Sequence, residues 1–224
     1  MKNIPLLALI IILVVIIGPV YGQKNIYTTT GGEWIFSEAS ATLVGSEANS
    51  ILRFSPVFNF QSQVHRDFND HMGLMTGIAL RNVGFIVDDP NNANTRYKVR
   101  SYNIGIPIGL KFGKMDGRYF FGGYELEIPI NYKQKTFVDE KKTDKFDVWF
   151  SSRQPSIYNT VFVGIGLPEG MQIKFKYYLD NWFNQSYKDS NGNAIYANTK
   201  VNVFYVSLTF QILKGTSFYY KHKE

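Results

Sequence analysis

Few side chains in this chain are able to do chemistry, and their spacing limits what they can do. The 224 residues include three histidines, His65, His71 and His222, and no cysteine. A thiolate metal site, a disulfide framework and an acylated cysteine are therefore all excluded. His65 and His71 flank Arg66-Asp-Phe-Asn-Asp70 without the ligand spacing of a metal pair. Asp189-Ser-Asn-Gly-Asn193 opens like a calcium loop, but Ala194 stands where glycine is required and Lys200 where a bidentate glutamate belongs; the stretch reads as turn chemistry. Glu125 and Glu127 lie two apart on a strand among bases, which favours structural counter-ions over an acid/base pair. We expect no catalytic residue, no cofactor, no metal and no enzymatic activity.

What the remaining ionic residues share is a strand face. In Tyr102–Phe112, one face carries Tyr102, Ile104, Ile106, Ile108, Leu110 and Phe112, and the other Asn103, Gly105, Pro107, Gly109 and Lys111. After the turn Gly113-Lys-Met-Asp-Gly117, Phe120, Gly122, Tyr124, Leu126, Ile128, Ile130 and Tyr132 oppose Gly123, Glu125, Glu127, Pro129, Asn131 and Lys133. Such a period of two means one apolar and one polar face. A tilted strand needs roughly 9 to 11 residues to cross a bilayer, about twice the usual length in soluble proteins. Other stretches alternate in the same way: 33–41, 51–60, 73–87, 157–166, 171–179 and 203–212.

The expected fold is an all-β, eight-stranded antiparallel up-and-down transmembrane β-barrel with short periplasmic turns and longer extracellular loops. A soluble lipocalin-like barrel would reverse the faces. Glycines decide the sense, because an eight-stranded barrel has room inside only for side chains that fit. Gly105, Gly109, Gly123, Gly164 and Gly166 share the polar face with Arg53, Arg81, Lys111, Glu125, Glu127, Lys174 and Lys176. These seven residues are the expected lumen ion network, paired because isolated buried charge costs several kcal/mol.

Residues 1–22 read as a cleaved signal peptide: one lysine, an apolar run from Ile4 to Ile17, then Gly18-Pro19 and a small-x-small site before Gln23. Residues 23–32 read as a short leader without a fold of its own, 33–213 as the barrel and 214–224 as a C-terminal tail. The expected location is thus the cell outer membrane. Sixteen per cent of the residues are aromatic, as interface girdles require. The formal charge of +6 comes from bases scattered among acids, a solvated surface rather than a nucleic-acid patch. Partners in that location are outer-membrane lipid, lipopolysaccharide phosphates and other outer-membrane or secretion proteins, and not nucleic acid.

The signal ending in Gly-Gln, the run Ile104-Gly-Ile-Pro-Ile-Gly-Leu-Lys-Phe-Gly113 and Phe121-Gly-Gly-Tyr-Glu-Leu-Glu127 resemble the small outer-membrane β-barrel domain family of Bacteroidota, which includes PorT-like proteins. The resemblance spans about residues 33–213 and lies in alternation and glycine placement. It implies an eight-stranded outer-membrane barrel and, for PorT-like members, a link to type IX protein secretion. One departure is the end of the chain, where Phe210 is followed by 14 further residues rather than closing it on an aromatic.

The long loops carry the remaining candidates. Trp149, Phe150, Trp182 and Phe183 stand among charges, which fits either a binding surface or anchors in the lipid headgroup layer. A structural or interaction role through these loops is the leading expectation. An accessory role in secretion, a narrow transporter and a soluble carrier are the alternatives.

Overall fold

The computed structural model describes residues 26–213 and 217–218, so the expected signal peptide and most of the tail lie outside the described residues. Long strands dominate: β1 (Ile26–Leu43), β6 (Met72–Asp88), β7 (Thr95–Gly113), β8 (Tyr119–Val138), β10 (Tyr158–Gly166), β11 (Gln172–Tyr178) and β12 (Lys200–Leu213). Between β1 and β6 the chain forms one interrupted stave from β2 (Ser46–Ala48), β3 (Ser50–Ile51), β4 (Arg53–Ser55) and β5 (Phe60–Asn69). β9 (Lys141–Trp149) lies beyond the rim, and β13 (Ser217–Phe218) pairs with the start of β1.

Antiparallel ladders join these staves in the order β10, β11, β12, β1, β5, β6, β7, β8, and pairing of β8 with β10 closes the ring. The eight expected staves are all present. Closure removes the free edges that an open sheet would expose. Short turns gather at one end, at residues 70–71, 114–118 and 167–171; we call it the turn end, and both strand termini lie there. The opposite, loop end carries residues 89–94, the β9 hairpin and the long segment 179–199.

Two polar stretches are ordered where loops were expected. Ile26–Gly32 of the expected leader pairs with Phe60–Arg66, and Phe60–Asn69 pairs with Met72–Leu80. The polar segment 61–72, left between the alternating stretches 51–60 and 73–87, is thus the lower half of the second stave followed by a tight turn, in keeping with short links at this end.

Outside, the ring is apolar. Trp34, Phe54, Ile78, Ile106, Leu110, Phe112, Phe120, Val163, Phe175, Val206 and Ile212 are exposed around the whole circumference. On β7 this band runs from Tyr102 to Phe112; at about 3.3 Å per residue and a tilt near 40°, it is about 25 Å tall. That is a far larger apolar surface than a soluble monomer presents.

A bulge changes the faces on β8. Below it, partners pair as Gly105↔Glu127; above it, one extra residue near Ile130 shifts the register to Tyr102↔Asn131 and Ser101↔Tyr132. A one-residue slip exchanges the two faces. Tyr132 is therefore inside and fully buried, whereas Lys133, expected inside, points out and pairs with Asp147 at 2.7 Å.

Candidate functional site

The lower interior is a closed ionic network. Glu33 of β1 takes Arg81 Nε of β6 at 3.1 Å and Lys174 Nζ of β11 at 2.8 Å. Arg81 continues to Glu125 through Nη1 and donates to Gln61 at 3.3 Å. Lys176 bridges Glu125, at 2.8 Å, and Glu127; Glu127 also accepts from Asn103 Nδ2 at 2.7 Å and from the Tyr178 hydroxyl. Three carboxylates and three cations, none more than 3% exposed, make the cluster electrically neutral. Gly105 leaves the space that this needs, since a Cβ there would fall on the Glu125 carboxylate.

Of the seven residues expected in this network, Arg81, Glu125, Glu127, Lys174 and Lys176 come together. Lys111 is buried but lies nearer the turn end, in a separate pair with Asp67 at 2.5 Å and a hydrogen bond to Tyr27 Oη at 2.9 Å. Arg53 belongs to the wall and has no acid partner among the described residues. Its guanidinium donates to the Asn82 carbonyl at 3.1 Å and to Asn82 Oδ1 at 2.7 Å. The backbone ladder between the second stave and β6 is interrupted here around Pro56, and Asn59 Oδ1 accepts from Asn82 N at 2.7 Å. Side chains thus satisfy backbone groups that a ladder would otherwise pair. Ser37 Oγ reaches past this gap from β1 to the Gly84 carbonyl at 2.6 Å.

The acids Glu33 and Asp67 were missed in the sequence. Glu33 shares the buried face of Ile35, Ser37 and Ala39, where a lone acid shows no ionic pattern in the sequence; Asp67 sits in a run whose two faces are both largely polar.

The upper interior is closed by rings. Tyr158 stacks on Trp182 at 5.2 Å and 22°, Tyr178 meets both edge-on, and Phe85 meets Trp182 at 5.7 Å and 87°. Phe183 stacks on Tyr196 at 4.3 Å, and Tyr132 meets Phe183. The Tyr158 hydroxyl donates to the Trp182 carbonyl at 2.7 Å and ties the inserted segment to the wall. Trp182 and Phe183 are therefore not surface contacts: segment 179–199 folds back and buries them. Trp149 and Phe150, 61% and 77% exposed, are the loop aromatics that remain outside.

A shallow vestibule of about 230 Å³, lined by Tyr97, Arg153, Phe183, Ile195 and Tyr196, lies above the rings. Arg153 covers the Phe146 ring at 4.3 Å and donates to Tyr196 Oη at 3.1 Å. At the turn end a second vestibule of about 260 Å³ is lined by Tyr27, Met115, Tyr119 and Gln211. His65 lies above that end, stacked on Tyr27 at 4.7 Å and bonded to Thr29 Oγ1 at 2.8 Å, while His71 is exposed in a turn. No group of three or more metal-ligating side chains occurs among the described residues. Asp189 Oδ1 accepts from the backbone N–H groups of Asn191 and Asn193, at 2.9 and 2.8 Å, as the turn reading requires.

Outside the rim, β7, β8 and β9 continue as a three-stranded extension. Its inner face, with Tyr97, Val99, Phe146 and Val148, packs on the ring cluster. The outer face carries cross-strand rows: Arg100, Lys133 and Asp147, then Lys98, Lys135 and Lys145.

No family model matches the chain, and no curated protein matches it. Solved structures to which the chain is similar include Ail, the attachment invasion locus protein of Yersinia pestis, in complex with the heparin analogue sucrose octasulfate: 11% identical, covering 85% of this chain and 99% of that one, TM-score 0.38. Neisserial surface protein A is 11% identical over 85% and 99% of the two chains, TM-score 0.39. The outer membrane protein OprG from Pseudomonas aeruginosa is 15% identical over 88% and 96%, TM-score 0.36.

Proposed function

We propose that this chain is a non-enzymatic outer-membrane barrel that conducts nothing through its centre and works through its loop-end surface and the lipid around it. One observation carries the reading: an apolar belt of membrane height surrounds an interior filled from one vestibule to the other, below by a neutral ionic network and above by stacked rings. On this reading Arg81, held between Glu33 and Glu125, is the central plug. On this reading the turn end faces the periplasm, the loop end faces outward, and Trp149 and Phe150 are the accessible aromatics. Outer-leaflet lipid, including lipopolysaccharide, is then the constant neighbour of the belt.

Planar-bilayer recordings of the refolded protein test this directly. The expected result is heat-modifiable migration on gels together with no steady ion current; a stable current rejects the closed lumen, and recovery as a soluble protein without detergent rejects the membrane reading. The PorT-like alternative, an accessory role in type IX secretion, is supported by the sequence resemblance of Ile104–Gly113 and Phe121–Glu127. Capture of secretion components from native outer membranes favours that role.

A further inference from the structure

The outer face of the rim extension brings like charges together without the acids that elsewhere balance them. Lys98, Lys135 and Lys145 are direct cross-strand partners in a single row. Like charges directly opposite on a sheet are destabilising, and no described carboxylate lies within ion-pair distance of any of the three. The neighbouring rows differ. Lys133 has Asp147 at 2.7 Å, and Arg96 has Asp88 at 2.8 Å. Arg100, in the same row as Lys133 and Asp147, lies over the Tyr102 ring at 5.0 Å and makes no ion pair among the described residues. Burial and the surrounding cations hold the Lys98 and Lys135 ammonium groups below the usual lysine range: Arg53, Lys135 and Arg100 act on Lys98, and Lys133, Lys142, Arg100 and Lys145 on Lys135. Such a row is ready for an anion from outside the chain.

Height selects the anion. Tyr102 tops the apolar band, and the Arg100 and Lys98 rows stand two and four residues above it, about 5 and 10 Å along the membrane normal. The headgroup layer is about 5 to 8 Å thick on each side, so the Arg100 row stands within it and the Lys98 row at its outer margin. A ligand there is held beside the acyl boundary rather than in open water.

We propose that Lys98, Lys135, Lys145 and Arg100 form a binding site for the phosphate groups of an anionic lipid in the outer leaflet, with the lipid's acyl chains lying on Ile104, Ile106 and Ile128 below. The proposal rests on the membrane reading given above. Lysine supplies strongly hydrated point charges and arginine a planar fork, so the site takes clustered phosphates without demanding one geometry.

The protein is refolded into phosphatidylcholine vesicles doped with either bisphosphorylated lipid A or its dephosphorylated form, and retained lipid is counted by native mass spectrometry after extraction. The expected result is preferential retention of the phosphorylated lipid. Loss of preference is expected in the Lys98→Gln/Lys135→Gln/Lys145→Gln variant, each change weakening retention about fivefold. The triple arginine variant retains the preference, and Lys188→Gln/Lys200→Gln, elsewhere on the loop end, leaves it unchanged. Heat-modifiable migration confirms folding in every arm. A folded native protein with no preference, or a triple glutamine variant that keeps it, overturns the site. A soluble sulfated oligosaccharide that displaces the lipid completely at low concentration overturns the choice of a lipid ligand. Failure of the native protein to insert into either vesicle instead overturns the membrane reading.

Discussion

Around Gly105 the interior is filled by charges delivered one or two at a time from β1, β6, β8 and β11, whereas above Tyr178 it is filled by one segment that brings Trp182, Phe183 and Tyr196 inward together. The lower arrangement depends on wall strands whose positions are fixed by ladders, and each ion is satisfied by neighbours from other staves. The upper one depends on a loop that needs the barrel already formed as its mould. Ionic filling is therefore intolerant of losing one member, since a partner is left charged and dry. Aromatic filling loses contact area in proportion to what is removed, and its loop has freedom to settle.

Replacing Arg81 with Leu gives the sharpest break. It leaves three glutamates facing two lysines, and unfolding by denaturant in micelles is expected to lose about 3 to 5 kcal/mol. Trp182→Ala should cost less, about 3 kcal/mol at the low end for a buried tryptophan. Its signature is different: residues 179–199 become accessible to protease while bilayer current stays absent, because the ionic half still closes the axis. A steady current in this variant would mean that the rings alone seal the barrel. Gly105→Leu is the gentlest of the three, about 1 to 3 kcal/mol from overfilling beside Glu125 and Arg81. Leucine at Gly117, where the nearest atom to an added Cβ is 3.7 Å away, should leave the unfolding midpoint unchanged.

The lower half was the more legible in the sequence. Alternation in 73–87, Tyr102–Phe112 and 171–179, and glycines sharing the polar face with Glu125 and Glu127, are local signals, and they identified five of the network's six ions without any knowledge of partners. Glu33 escaped because a lone acid after Gly31-Gly32 carries no pattern until β12 and β11 are placed beside it. In the upper half the decisive events are not local. The bulge near Ile130 reverses which of Tyr132 and Lys133 faces in; Pro129, which cannot donate to a ladder, is its one local signal and does not by itself say which face each later residue takes. Trp182 reads as a loop aromatic because its burial is set by the width of the cavity between Phe85, Tyr158 and Tyr178, residues distant in the chain. Arg53 is a third kind of case: its face was right, but its partner is a backbone group freed by an interrupted ladder.

That interruption has a genetic meaning. Along most of the described wall, strands are held by main-chain hydrogen bonds, which every non-proline amino acid supplies and which no ordinary substitution can delete. Around Asn82 the same task falls to Arg53 and Asn59, so two codons govern how firmly the second stave is stitched to β6. Drift that leaves the remaining ladders untouched can loosen or tighten this seam alone, which makes it a place where the barrel's lateral strength is heritable and open to selection.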